Sequence, residues 1–155
     1  MPIKFEYLID RPQDVPLVIH WWHSVWADRM GSDLDKATEQ LRSSLGKSDL
    51  PVHILATLEG EPVGTATLKL QEQEKRFPDK HFWLGGVFVA QEHRGGNIAS
   101  ELSMEVVAMA QSRGIPHLYL QTVNLSGGLY TKLGWQRLMQ FDDAGQQTLL
   151  MRKRF

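Results

Sequence analysis

The stretch "VAQEHRGGNIASEL" at residues 89–102 places the tightest constraint on this chain. An apolar strand runs through Arg94-Gly95-Gly96-Asn97 directly into a helix, whose apolar positions Ile98, Leu102, Val106 and Met109 recur at helical spacing. Gly114-Ile115-Pro116 stops that helix, and "HLYLQTV" follows as a strand with little alternation, suited to burial on both faces. A strand, a helix and a strand sharing one sheet in that order require a parallel pair joined by a right-handed crossover. Adjacent glycines add neither packing nor stiffness, but at a strand end before a helix they let an anion approach bare backbone. The amides of residues 95–99 would do most of the holding, with Arg94 adding charge. A turn that needs glycine only for its dihedrals explains the pair equally well. No Gly-Lys-Ser/Thr follows, and the third glycine of a dinucleotide fingerprint is absent.

The remaining chain surrounds this unit with antiparallel elements. "IKFEYLID" alternates with period 2, the pattern of a strand with one buried face. Asp14 is placed to cap a helix with Pro16 in its first turn, carrying the stripe Val15, Val18, Ile19, Trp22, Val25 and Trp26. Ser32 with Asp35 resembles a capping box for a second helix. "VHILATL" and "VGTATLKL" flank Glu59-Gly60-Glu61-Pro62 as a hairpin. "HFWLGGVFV" is strand-like on both sides of Gly85-Gly86, which predicts a bulge. "SGGLYTKLG" has room only for a short helix, and "WQRLMQF" with "QTLLMRKRF" forms a closing hairpin. The expected order is β-α-α-β-β-β-α-β-α-β-β in one domain spanning residues 1–155: an α+β fold with a mixed, mostly antiparallel seven-stranded sheet and helices on both faces.

Composition narrows the function. A net charge of −1 supplies no global field to draw the chain to nucleic acid or an anionic membrane, so neither is an expected partner. The chain has no cysteine, which excludes a disulfide framework, a zinc–cysteine site and a cysteine acyl-enzyme. Acidic residues within "MPIKFEYLID" argue against a signal peptide, and no apolar run approaches the roughly 20 residues needed to span a bilayer, so a cytoplasmic location is the default expectation. His20 and His23 in "HWWHSVW" lack a third ligand, and no metal site is expected. The tryptophans Trp21, Trp22 and Trp26 are read chiefly as packing aromatics.

A second motif, "LYTKLGW" at residues 129–135, lies beyond the next strand. Together "VAQEHRGGNIA" and "LYTKLGW" resemble the GNAT superfamily of N-acetyltransferases, in which the first segment runs V-x-P-x-x-R-G-x-G-I-G/A and the second is close to L-Y-x-K/R-L-G-F/W. The resemblance covers nearly the whole chain and implies the GNAT fold. It further implies an acetyl-CoA-dependent N-acetyltransferase with no metal, in which a primary amine, of a small molecule or a peptide, attacks the thioester directly in a ternary complex. By that resemblance Arg94, Gly95, Gly96, Asn97, Ile98 and Ala99 cradle the pyrophosphate. Val87, Phe88 and Val89 offer main-chain groups to the pantetheine arm, and the amide near Val87 polarises the thioester carbonyl. Asn124 matches a position that contacts the cofactor arm. Tyr130 matches the general acid, a phenol placed to protonate the departing thiolate. One tryptophan of the first helix would line the acceptor pocket, and members often form homodimers.

This sequence departs from the family pattern in three places. Gln91 replaces the proline. Asn97 stands where a motif glycine usually does, a substitution compatible with a left-handed backbone and with capping of the helix, but one that can crowd a pyrophosphate. "HFWLGGVFV" carries no carboxylate to serve as base, although an alkylamine with a pKa near 10 must lose a proton before it attacks. Glu74, Asp79, His81 and His93 are the nearby alternatives, with nothing in the sequence to choose among them. These departures keep open a second reading, a CoA-binding sensor or regulatory module of the same fold that does not turn over.

Overall fold

A computed structural model describes residues 2–155. In chain order the elements are β1 (Lys4–Tyr7), α1 (Val15–Met30), α2 (Leu34–Ser43), β2 (Val52–Leu58), β3 (Glu61–Lys69), β4 (Trp83–Val89), α3 (Ile98–Ser112), β5 (His117–Thr122), α4 (Leu129–Lys132), β6 (Gln136–Asp143) and β7 (Gln146–Arg154). The strands form one 7-stranded sheet in the order β1-β2-β3-β4-β5-β7-β6. Among the described residues only β4 and β5 run parallel, as the strand–helix–strand reading requires. The α+β class and the element order both match the expectation.

Alternation along the strands sorts the core into two faces. Ile54, Ala66, Leu84, Leu118 and Leu120 point toward α3, where Ile98, Leu102, Val106 and Ala110 meet them. On the other face Leu55 and Phe88 pack under α1 and α2 with Val15, Val18, Ile19, Trp21 and Leu41. Trp83, Tyr119 and Leu150 continue that second face under Phe77 and Phe141. β5 is buried on both sides because it supplies Leu118 and Leu120 to one face and Tyr119 to the other.

Three local expectations are corrected. Asp33, not Ser32, caps α2, its Oδ1 accepting from the Lys36 amide at 3.0 Å. Asp14 precedes α1 but makes no side-chain cap; its carboxylate is held by Arg11 Nε at 2.7 Å, an ion pair that outcompetes a neutral backbone donor. The apolar stripe of α1 ends early. Trp21 joins the buried set, Val25 is 53% exposed, and the helix breaks its regular dihedrals at Trp26 (φ −119°, ψ 35°), so one helical period does not hold to its end.

The two hairpins turn as their sequences suggest. Glu59 and Gly60 adopt positive φ between β2 and β3, as do Ala144 and Gly145 between β6 and β7, the geometry that matches strand twist in two-residue connections.

The β4 bulge carries the most consequence. Thr65 pairs with Phe88 but Thr67 pairs with Gly85, so β4 holds an extra residue opposite Ala66. Gly86 takes φ +61°, and a Cβ there would press on Thr67 Oγ1 and the Trp22 ring, each at 3.1 Å. The Trp22 indole donates from Nε1 to Gly86 O at 3.0 Å, fixing the bulge from the α1 side. On the opposite edge β4 keeps a single bridge to β5, Trp83 with Tyr119, supported by Tyr119 N–H to Phe82 O at 2.9 Å. Beyond that bridge the two strands part.

One buried titratable group lies beside this region. His53 on β2 bonds Thr67 Oγ1 through Nδ1 at 2.8 Å, and its Nε2 has no partner among the described residues. Burial, helped by the positive charge of Lys69, pushes its pKa down to about 4. The unfolded chain therefore takes up the proton first as pH falls, and the native state loses stability between about pH 6.5 and 4. We expect on the order of 3 kcal/mol less stability at pH 4 than at pH 7 from this residue. Urea unfolding of wild type and His53→Gln at both pH values checks it, because the part of the loss owed to His53 disappears in the variant.

Candidate functional site

The parting of β4 and β5 leaves main-chain groups facing an open slot. Ala90 donates to Val63 O at 2.8 Å, which fixes the alternation of the ladder next to it. Phe88, paired with Thr65, turns its amide and carbonyl toward β3, while Val87 and Val89 turn theirs toward β5. Of the three β4 residues carried over from the resemblance, Phe88 thus stands apart. Its backbone is used by β3, and its ring stacks on Trp21 with centroids 5.5 Å apart. The carbonyl of Val89 is taken by Arg94 Nε at 2.9 Å, which leaves Val87 with the freest backbone in the slot.

The phosphate-loop candidates follow at the end of β4. Gly95 has φ +87°, and a Cβ there would meet nothing within 4 Å; the nearest atom to a Cβ on Gly96 would be His93 O at 3.6 Å. The surface over the two glycines is therefore open. Asn97 adopts the left-handed conformation at φ 66°, as its residue type allows, but its side chain makes no capping bond, which corrects the expectation that it could cap. The first intrahelical bond of α3 runs from Glu101 N–H to Asn97 O, so the amides of Ile98, Ala99 and Ser100 emerge unbonded at the positive end of a helix. Arg94 is tied back instead of reaching forward, its guanidinium lying over the Phe88 ring at 5.1 Å. The loop thus offers amides more than side-chain charge.

Across the slot, Asn124 begins the segment that leads to α4. Its Oδ1 accepts from Ser126 N at 3.1 Å and from Ser126 Oγ at 2.7 Å, an Asx turn that shapes residues 124–128 and uses the side chain's acceptor internally. Tyr130 stands on the short α4 that follows, with its ring edge-on to Trp135 at 6.0 Å and packed on the α3 face of the sheet. Burial raises its pKa above the usual phenol range, opposed in part by the neighbouring Ser103 hydroxyl. A phenol so placed keeps its proton at neutral pH and can direct its O–H at negative charge that develops in the slot.

Sequence reasoning missed several participants. Trp22, read as one of three packing aromatics, is the tryptophan that touches the β4 bulge. Ser103 lies inside an ordinary helix and has no motif of its own. Glu72, in the loop after β3, carried no signal beyond its charge, yet its side chain lies over Gly85. Of the bases weighed from sequence, Glu74, Asp79 and His81 are exposed, and His93 is half-buried in the turn before the glycines.

The comparisons agree with this geometry. The model of the acetyltransferase (GNAT) family matches residues 18–135. No curated protein matches the sequence. Among solved structures the chain is similar to an aminoglycoside 6'-acetyltransferase type Ii, at 19% identity and TM-score 0.75 over 99% of this chain and 97% of that one. It is similar to a ribosomal-protein-alanine N-acetyltransferase from Brucella melitensis at 20% identity and TM-score 0.75, with both chains covered fully (100%). It is also similar to the PaiA N-acetyltransferase from Thermoplasma acidophilum in complex with coenzyme A, at 18% identity and TM-score 0.70, again over 100% of both chains. At these identities the structures speak for the fold, and the family model speaks for the sequence. A seven-stranded sheet split between its parallel strands, open amides before α3, and a family model spanning most of the chain place this protein in the GNAT acetyltransferase family.

Proposed function

We propose that the protein transfers the acetyl group of acetyl-CoA to a primary amine by direct attack in a ternary complex. The observation that carries this reading is the slot itself. It has unbonded α3 amides and the open Gly95–Gly96 surface at one end, the free backbone of Val87 along one wall, and Tyr130 across it. The residues present fit a CoA ester. The amides of residues 95–100 would receive the pyrophosphate, Val87 and Val89 would align the pantetheine arm, and Arg94 would flank it. Acetyl-CoA supplies the activated acyl group. The chain's residues orient it, polarise its carbonyl through the Val87 amide and protonate the leaving sulfur from Tyr130. With no cysteine to carry the acetyl group, attack by the amine itself is the direct route.

Two further lines support the reading. Two structural neighbours are complexed with coenzyme A, and neighbours are named as aminoglycoside 6'-acetyltransferases and as a ribosomal-protein-alanine N-acetyltransferase, names that point to amine acceptors. The left-handed backbone at Asn97 also meets the need usually served by glycine there, which supports CoA binding at this loop.

Titration calorimetry with acetyl-CoA tests the cofactor half of the proposal. Gly96→Glu is the informative variant because that residue does not need the left-handed region, so a carboxylate can be set over the amides without backbone strain. We expect at least a tenfold loss of affinity in the variant; equal binding, or none by wild type, would overturn the reading. For the chemistry, Tyr130→Phe should lower turnover by about ten- to a hundredfold, measured as thiol release, with acetyl-CoA affinity unchanged within about twofold. Turnover unchanged in the variant would remove Tyr130 from the mechanism.

A further inference from the structure

β4 has no ionisable side chain of its own, yet a carboxylate lies against it. Glu72 leaves the end of β3 and folds back over Gly85, its Oε2 in the space a Cβ on Gly85 would fill. Gly85 is not in the left-handed region, so the glycine there answers a need for room and not for conformation. Oε1 accepts from Gln121 Nε2 of β5 at 2.8 Å, and Oε2 pairs with Lys69 Nζ of β3 at 3.0 Å. The side chain is 12% exposed. The carboxylate therefore spans β4 and β5 near the point where they part.

Its placement across the sheet is equally specific. Thr67 pairs with Gly85, and His53 bonds Thr67, so His53, Thr67, Glu72 over Gly85, and Gln121 form a polar row on the α1 face. Trp22 covers the adjoining Gly86 on that same face. Tyr130 packs on the α3 face. A thioester lying in the slot would have the phenol on one side and the carboxylate on the other. Gly85 and Val87 are two residues apart on a bulged strand, at most about 7 Å, within the reach of a carboxylate acting through one water.

We infer that Glu72 is the base of the transfer, receiving the acceptor's ammonium from the α1 side and taking its proton. The assignment rests on the N-acetyltransferase reading. The ammonium gives one proton to the Glu72 carboxylate, directly or through water, which passes it to solvent. The freed nitrogen lone pair forms the C–N bond at the thioester carbon. The C–S bond then breaks, its electron pair leaving on sulfur. The thiolate takes the Tyr130 proton, and the second nitrogen proton makes that loss good, leaving an amide and a free thiol. Glu72 pairs with Lys69 of β3 and accepts from the neutral Gln121 of β5, β4 offers it only backbone, and the titratable His53 of β2 lies on the same face, bonded to Thr67 and near enough to feel Lys69.

The test sets two kinds of nucleophile against each other. Kanamycin, spermidine and an alanine-initiated peptide carry ammonium groups that must lose a proton, whereas hydroxylamine is already neutral at pH 7.5. Thiol release above background is measured for wild type, Glu72→Gln and Gly85→Ala, alongside acetyl-CoA calorimetry. We expect Glu72→Gln to lose about a hundredfold in kcat/KM on the best alkylamine and to keep its hydroxylamine rate and acetyl-CoA affinity. The alkylamine rate of the variant should climb toward wild type as pH rises to 9 and the amine frees itself. Gly85→Ala, which displaces the carboxylate without removing it, should reproduce this split. A loss equal for both nucleophiles, or no loss, would overturn the assignment while leaving the transferase intact. A wild type that binds acetyl-CoA but acetylates neither hydroxylamine nor any amine would overturn the transferase reading, and this base with it.

Discussion

The structure turns on a sheet ladder that is made once and then abandoned. β4 and β5 meet at Trp83 and Tyr119 and do not pair again. A buried backbone group without a partner costs about as much as a lost hydrogen bond, so a sheet does not part in its middle without compensation. Here the compensation is divided. The β4 bulge turns Gly86 O to the Trp22 indole, and Val89 O goes to Arg94. β5 keeps its full antiparallel pairing with β7 from His117 to Thr122. What is left unpaired faces the slot, where solvent or an extended ligand can take the bonds.

This division explains why the residues around the split are small or polar. Gly86 tolerates the left-handed turn of the bulge, and Gly85 makes room for a carboxylate. The aromatic ring system Phe77, Trp83, Tyr119 and Phe141 closes the sheet just before the strands part, with ring centroids of neighbouring pairs 5.2 to 6.3 Å apart. A close-packed hydrophobic clasp thus sits next to the place where the strands part.

The electrostatics of the site are local. The chain is nearly neutral as a whole, and the arginine of the phosphate loop is engaged with the strand it follows. Attraction for an anion therefore rests on oriented amides at the start of α3, whose partial charge acts over a short range and adds specificity of place. The acid–base pair proposed for the transfer is separated by the sheet itself: a phenol kept protonated by burial on one face, and a carboxylate braced by Lys69 and Gln121 on the other.

By itself the sequence determined the element order, the single parallel unit, both tight hairpins, the β4 bulge and the two motifs of the family. Each is a local pattern, since period, glycine placement and short spacing act through neighbours along the chain. Where two local signals competed, the sequence misled: Ser32 and Asp33 both offered an oxygen to α2, and Asp14 had an arginine within reach that no periodicity reveals. Only the tertiary structure decided which tryptophan meets the bulge, which main-chain groups of β4 remain free, and that Glu72 lies over Gly85. Those facts depend on register between strands distant in sequence. A one-residue change in pairing moves every side chain to the opposite face, so the composition of a loop does not say which strand its carboxylate will cover.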